Sequence, residues 1–137
     1  MDINIINNEL GKLMNKAIKK NEVPVAALIV YNDKIIAKAY NTVEKDNNIL
    51  SHAEVKIIKK ASKKLNNWRL NDCTLYVTLE PCDMCKQIIK KSRIKNVYYY
   101  IKQNNNKTEN DPKYFKIDDL NNFSNNLKQF FINARNE

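Results

Sequence analysis

The stretch over residues 23–40, "VPVAALIVYNDKIIAKAY", narrows the fold more than any other part of the chain. Two apolar, β-rich runs meet at "NDK", which is the pattern of a β-hairpin. The first run is apolar nearly throughout, without the alternation of a half-exposed strand, so it predicts a strand buried on both faces. Such a strand needs a packed layer on each side of its sheet.

The flanking sequence offers helices for those layers. Ile6, Leu10, Leu13, Met14, Ala17 and Ile18 recur at helical spacing and predict a first helix with one apolar face, ended by residues 21–24. After the hairpin and a polar stretch over residues 41–48, Ser51 stands three residues before Glu54. That is the capping-box spacing, and it predicts a second helix starting at or beside His52. Val55, Ile58 and Leu65 are expected on its inner side, with a lysine-rich face outward. "CTLYVTL" predicts a third strand, and Pro81 is placed for the first position of a third helix through Ile88 and Ile89. "NVYYYI" predicts a fourth strand, followed by a polar, Asn-rich loop over residues 102–112. "KYFKI" predicts a short fifth strand, and Asp118 or Asp119 a cap for a final helix carrying Leu127, Phe130 and Phe131. The element order predicts an α/β protein, a sheet with helices on both faces, in one domain spanning residues 1–137.

Composition limits the setting. No apolar run approaches the ~18 residues of a membrane span, and no basic-then-apolar leader follows Met1, so a soluble cytoplasmic protein is expected. Lys and Arg outnumber Asp and Glu by 24 to 15, a formal charge of +9 that attracts polyanions such as nucleic acid. A Lys- and Asn-rich coding bias would also produce it. Of three cysteines, Cys73 opens an apolar run and reads as a small buried thiol, while Cys82 and Cys85 form a C-x-x-C pair suited to metal or redox chemistry.

His52 is the only histidine, two residues before Glu54 in "SHAEVKII". Cys82 and Cys85, one helical turn apart, can grip one ion, and His52 can bring a nitrogen from another helix. One nitrogen and two sulfurs suit Zn2+ and leave its fourth position to water, whereas a purely structural site would need a fourth protein ligand, and none is evident. Glu54 can then shuttle the water's proton without binding metal, the requirements of a hydrolytic deamination. H-x-E followed by P-C-x-x-C is the general signature of zinc deaminases.

Further stretches extend that signature. "NEVPVAALIV", "AYN", "HAE", "NWRL", "LYVTLEPCDMC" and "SRI", in order over about the first hundred residues, closely resemble the bacterial tRNA-specific adenosine deaminases of the cytidine/deoxycytidylate deaminase superfamily. The resemblance implies a three-layer α-β-α cytidine-deaminase-like fold with a mixed five-stranded sheet, one zinc per subunit, a homodimer, and conversion of adenosine to inosine at the wobble position of a tRNA anticodon loop. By position it implies zinc ligands His52, Cys82 and Cys85 and the proton shuttle Glu54. Asn41 would hydrogen-bond the flipped base, Val25 would pack on it, and the Ala53 N–H would fix its edge. Lys107 echoes a family turn, and Phe130, Phe131 and Arg135 a C-terminal helix, that meet RNA in the family. Ala26 replaces a family glycine, and a helix expected after the fourth strand is missing. A deaminase of a small base or nucleoside such as cytosine, cytidine or guanine therefore stays open, as does a non-catalytic, zinc-stabilised nucleic-acid-binding module.

Overall fold

The computed structural model describes residues 1–103 and 111–135. Helix α1 (Ile3–Lys19) starts where the Asp2 carboxylate accepts the Asn4 N–H (2.9 Å). Its buried face holds Ile6, Leu10, Leu13, Met14 and Ala17, as their spacing predicts. Asn7 lies on that face too, and accepts a hydrogen bond from the Tyr100 hydroxyl.

Strands β1 (Ala26–Tyr31) and β2 (Lys34–Tyr40) form the expected antiparallel hairpin. Asn32 and Asp33 turn it with φ of 51° and 60°, the left-handed pair of a tight hairpin turn, so Lys34 already belongs to the strand. Residues 26–29 of β1 are all buried, so both of its faces are covered. Seven described non-glycine residues take positive φ and five of them are asparagines, at turns and at the ends of α2 and α3. In a chain with one glycine, asparagine supplies the left-handed backbone.

Helix α2 (Val43–Asp46) falls in the polar stretch where no element was expected. It is held from outside: the buried Glu22 carboxylate accepts the N–H groups of Glu44 (3.0 Å) and Lys45 (2.8 Å). Next come α3 (Ala53–Leu65), β3 (Thr74–Leu79), α4 (Asp83–Lys91), β4 (Asn96–Ile101), β5 (Lys113–Lys116) and α5 (Phe123–Arg135). The sheet runs β2-β1-β3-β4-β5, with β1 antiparallel to β2 and β3, and β3, β4 and β5 parallel. This is the mixed five-stranded α/β arrangement expected. Tyr100 of β4 reaches both α1, through Asn7, and α5, where its ring meets Phe123 edge-on at 5.1 Å. The Asp119 carboxylate caps α5 by accepting from Phe123 (2.7 Å) and Ser124 (2.9 Å).

Three local expectations are corrected. Ser51 is not the cap of α3: its N–H donates to Asn48 O (3.0 Å) and its hydroxyl to Asp46 (2.8 Å), so the capping box has no free donor and His52 takes the cap position. The side of α3 that is fully buried is Ala53, Glu54, Ile57 and Ala61, while Val55, Ile58 and Leu65 are half-buried at its margin. Pro81 precedes α4 by two residues, because Cys82 is extended and caps it.

Cys73 is 2% exposed, and burial, helped by the neighbouring Asp72 charge, pushes its thiol up to about 11. The folded state thus favours the neutral thiol. Its stability is intact below the ordinary thiol pKa near ~9 and falls by up to about 2–3 kcal/mol as pH rises toward 11. Urea melts at pH 8 and pH 10.5 should show a smaller alkaline loss in Cys73→Ala than in the parent chain; equal losses would place the titration elsewhere.

Candidate active site

Two helix N-termini converge on one spot. His52 is the extended cap residue of α3 (ψ 147°), Cys82 is the extended cap residue of α4 (ψ 170°), and Cys85 lies one turn into α4. The parallel pairing of β3 with β4, with α4 between them in sequence, carries the cysteine pair to α3. His52 Nδ1 lies 3.5 Å from Cys85 Sγ and 3.9 Å from Cys82 Sγ, although 30 residues separate His52 from Cys82.

Those separations fit a single tetrahedral ion, since typical metal–nitrogen and metal–sulfur bonds put such donors about 3.6 Å apart. One donor atom from each of the three residues lies within 4.8 Å of the others, and among the described residues no fourth His, Cys, Asp or Glu joins the group. Burial, followed by the Glu54 and Cys82 charges, pushes the Cys85 thiol far above its usual range, so it would take a bound cation to hold Cys85 as a thiolate. Burial lowers the His52 pKa, which favours the neutral imidazole a metal needs.

Cys85 is fully buried, while His52 and Cys82 line a cavity of about 490 Å³. Glu54 lines it, 4% exposed, with its carboxyl pushed up to about 7 by burial while its own backbone N–H pulls the other way. A carboxyl balanced there can both accept and return a proton. Val25, Ala53 and Asn41 also line the cavity. The Asn41 amide donates to Val23 O (3.4 Å) and accepts from Val43 N (3.1 Å), so it is a turn residue as well. An amide has two donors and two lone pairs, which leaves one of each for a ligand.

The C-terminal aromatics divide. Leu127 and Phe131 of α5 reach the cavity, while Phe130 lines a separate groove with Ile18 and Asn21. Consecutive helical residues point about 100° apart, which sets the two rings against different openings although they touch edge-on at 5.5 Å. Arg135 is exposed in the last turn of α5, one turn beyond Phe131, and does not itself line the cavity, and Lys107 lies outside the described residues. Sequence reasoning missed Glu80. It is buried at the cavity wall, accepting from Lys86 Nζ (3.0 Å) and the Gln103 N–H (3.0 Å), and so ties the chain beyond β4 to the site. Its place directly before Pro81 in "EPCDMC" was the available signal. Ile49, an exposed apolar residue at the cavity mouth, left no such trace.

The family model for MafB19-like deaminases matches residues 1–137. The chain belongs to the MafB19-like deaminase family. Within the curated proteins, this family member is 46% identical over 91 residues to a tRNA-specific adenosine deaminase of Bacillus subtilis (strain 168), covering 66% of this chain and 56% of that protein. It is 48% identical over 85 residues to the tRNA-specific adenosine deaminase of Rickettsia typhi, covering 61% and 57%. The chain thus spans a little over half the length of these relatives. Among solved structures it superposes on a tRNA:A34 deaminase, studied for A-to-I editing at the wobble position, with a TM-score of 0.73 at 28% identity over 80% of this chain and 95% of that one. A guanine deaminase from Bacillus subtilis matches with a TM-score of 0.64 at 36% identity, covering 70% and 64%. The resemblance read from the sequence and the cytidine-deaminase-like fold it implied both hold for this MafB19-like deaminase.

Proposed function

We propose that this protein is a zinc-dependent deaminase that converts adenosine to inosine at the wobble position of a tRNA anticodon. The observation that carries the proposal is the open triad of one nitrogen and two sulfurs, facing a buried carboxyl in a cavity large enough for a purine. Names of relatives supply the substrate: the curated proteins it resembles are tRNA-specific adenosine deaminases.

His52, Cys82 and Cys85 would hold Zn2+ through Nδ1 and the two Sγ atoms. When bound, the ion supplies Lewis acidity and an activated water. Glu54 takes a proton from the attacking water, delivers it to ring N1, and passes the second to the departing amine, so that water and adenosine give inosine and ammonia. Asn41 and the Ala53 N–H fix the base edge, Val25 packs on its face, and Phe131 with Leu127 closes the cavity side. The same proposal takes residues 1–137 as one catalytic domain in the cytoplasm, working as a homodimer with one zinc per subunit. It assigns Phe131 to the RNA side of the site and leaves Phe130 to packing on α1.

The likeness to a guanine deaminase favours a second reading, hydrolysis of a free purine base in the same cavity. Incubation of the purified protein with total tRNA and, separately, with free bases and nucleosides separates the two. Nucleoside analysis should find inosine in the tRNA and no product from free guanine or adenine. Turnover of a free base with tRNA unchanged would replace the first proposal by the second.

A further inference from the structure

Seven lysines gather in two adjoining grooves that the chemistry above does not use. One groove, about 470 Å³, lies between edge strand β2 and α3, where Lys38, Lys60, Lys63 and Lys64 stand over an apolar floor from β2. The other, about 350 Å³, shares Lys38 and Lys60 with the first and adds Lys16, Lys45 and Lys56. The shared residues make the two one channel.

Its charge is only partly compensated, with two carboxylates beside seven lysines. The lining holds one carboxylate, Asp46, which already accepts the Thr42 and Ser51 hydroxyls (2.8 Å each). The nearby Glu9 is engaged by Lys38 (3.2 Å) and Lys12 (3.7 Å). Several ammonium groups are nonetheless held in place. Lys60 donates to the Lys38 carbonyl (2.8 Å), and Lys56 donates to Tyr40 O (3.0 Å) and Thr42 Oγ1 (2.8 Å). Burial first and the Lys60 charge next lower the Lys56 pKa, with the Asp46 carboxylate acting against them.

The channel also has an address. Asn41 and Val43 line the catalytic cavity, while Thr42, between them, lines the channel, so the short segment that leads into α2 is the wall of both. From Lys56 to Lys64 the lysines on α3 span about 12 Å of helix, the axial reach of about three nucleotides.

We propose that this channel is a phosphodiester track, which holds the backbone of the polynucleotide whose base enters the cavity on the other side of the residue 41–43 wall. The inference rests on the nucleic-acid substrate proposed above and adds where its phosphates are held.

The test uses the full chain and a fluorescent tRNA anticodon stem-loop, with Kd measured by anisotropy from 50 to 200 mM salt. Removing three groove charges in Lys60→Gln/Lys63→Gln/Lys64→Gln should weaken binding by about tenfold or more at 100 mM salt and flatten the log–log salt slope by about 2. The matched variant Lys95→Gln/Lys113→Gln/Lys128→Gln removes the same net charge away from the groove and should change both far less. If the triple variant fails to fold, Lys64→Gln alone should still flatten the slope by about 0.7. Equal weakening by the two triple variants would make the effect one of net charge and overturn the track, as would an unchanged slope. Inosine formed normally by a groove variant with unchanged affinity sinks the track and leaves the proposed function standing. Groove-dependent binding without inosine does the reverse.

Discussion

Glu54→Gln is expected to keep its metal and lose its turnover. The amide has nearly the shape of the carboxyl, so the cavity wall and the N-terminus of α3 stay filled, but it cannot take up and return a proton. Placed general acid–base groups contribute about 10²–10⁴-fold, and Glu54 is assigned every proton transfer of the reaction, so a loss of kcat of about 10³-fold or more is expected. Metal content per chain should stay at the parent value, because the Glu54 carboxyl is not one of the three converging donors. Inosine assays on tRNA and elemental analysis of the same preparation check both halves. Activity within tenfold of the parent would move the shuttle to another group, with Glu80, the other buried carboxylate of the cavity, the first to examine. Retained zinc with retained tRNA binding and no dependence of any function on Glu54 would instead favour a non-catalytic zinc-stabilised module.

Cys85→Ser should have the opposite signature, losing metal and turnover together. A serine hydroxyl stays protonated near neutral pH and offers a hard, neutral oxygen where a thiolate is needed. Cys85 is 0% exposed on the first turn of α4, so no side chain from solvent can replace it. His52→Ala removes the only nitrogen donor and should behave alike. Thermal melts with and without a chelator provide a readout independent of activity. A metal held at 100 times its Kd adds about 2.7 kcal/mol to the folded state, or several degrees in Tm for a chain of this size. The chelator should therefore lower the parent Tm and leave that of Cys85→Ser unchanged. A full metal complement in the variant would exclude Cys85 from the ligand set.

Much of this was legible before any coordinates. Side-chain patterning is a local property, so the buried face of α1 follows from helical spacing, and the double-sided burial of β1 and the strand over "NVYYYI" from short runs of apolar, β-rich residues. The failures are also local in origin. The Ser51–Glu54 capping box was a reasonable pattern, but a tertiary turn through Asn48 and Asp46 had already taken the Ser51 donors, which frees Glu54 for the cavity. Helix α2 escaped notice because its anchor, Glu22, comes from a loop about twenty residues away.

The sequence by itself determined which atoms the site has to work with: one imidazole, two thiols in a C-x-x-C pair and a carboxyl two residues from the histidine. It also determined that the sheet must be covered on both faces, since nothing else buries "VPVAALIV". Only the tertiary structure decided that α3 and α4 aim their first turns at one point, because that depends on β3 and β4 pairing in parallel across a long sequence separation. It alone turned Phe131 toward the cavity and Phe130 away, and brought lysines from α1, β2, α2 and α3 into one channel. Local preferences set what each segment becomes; which segments meet is set by the burial available to the whole chain, and that is not written at any one position.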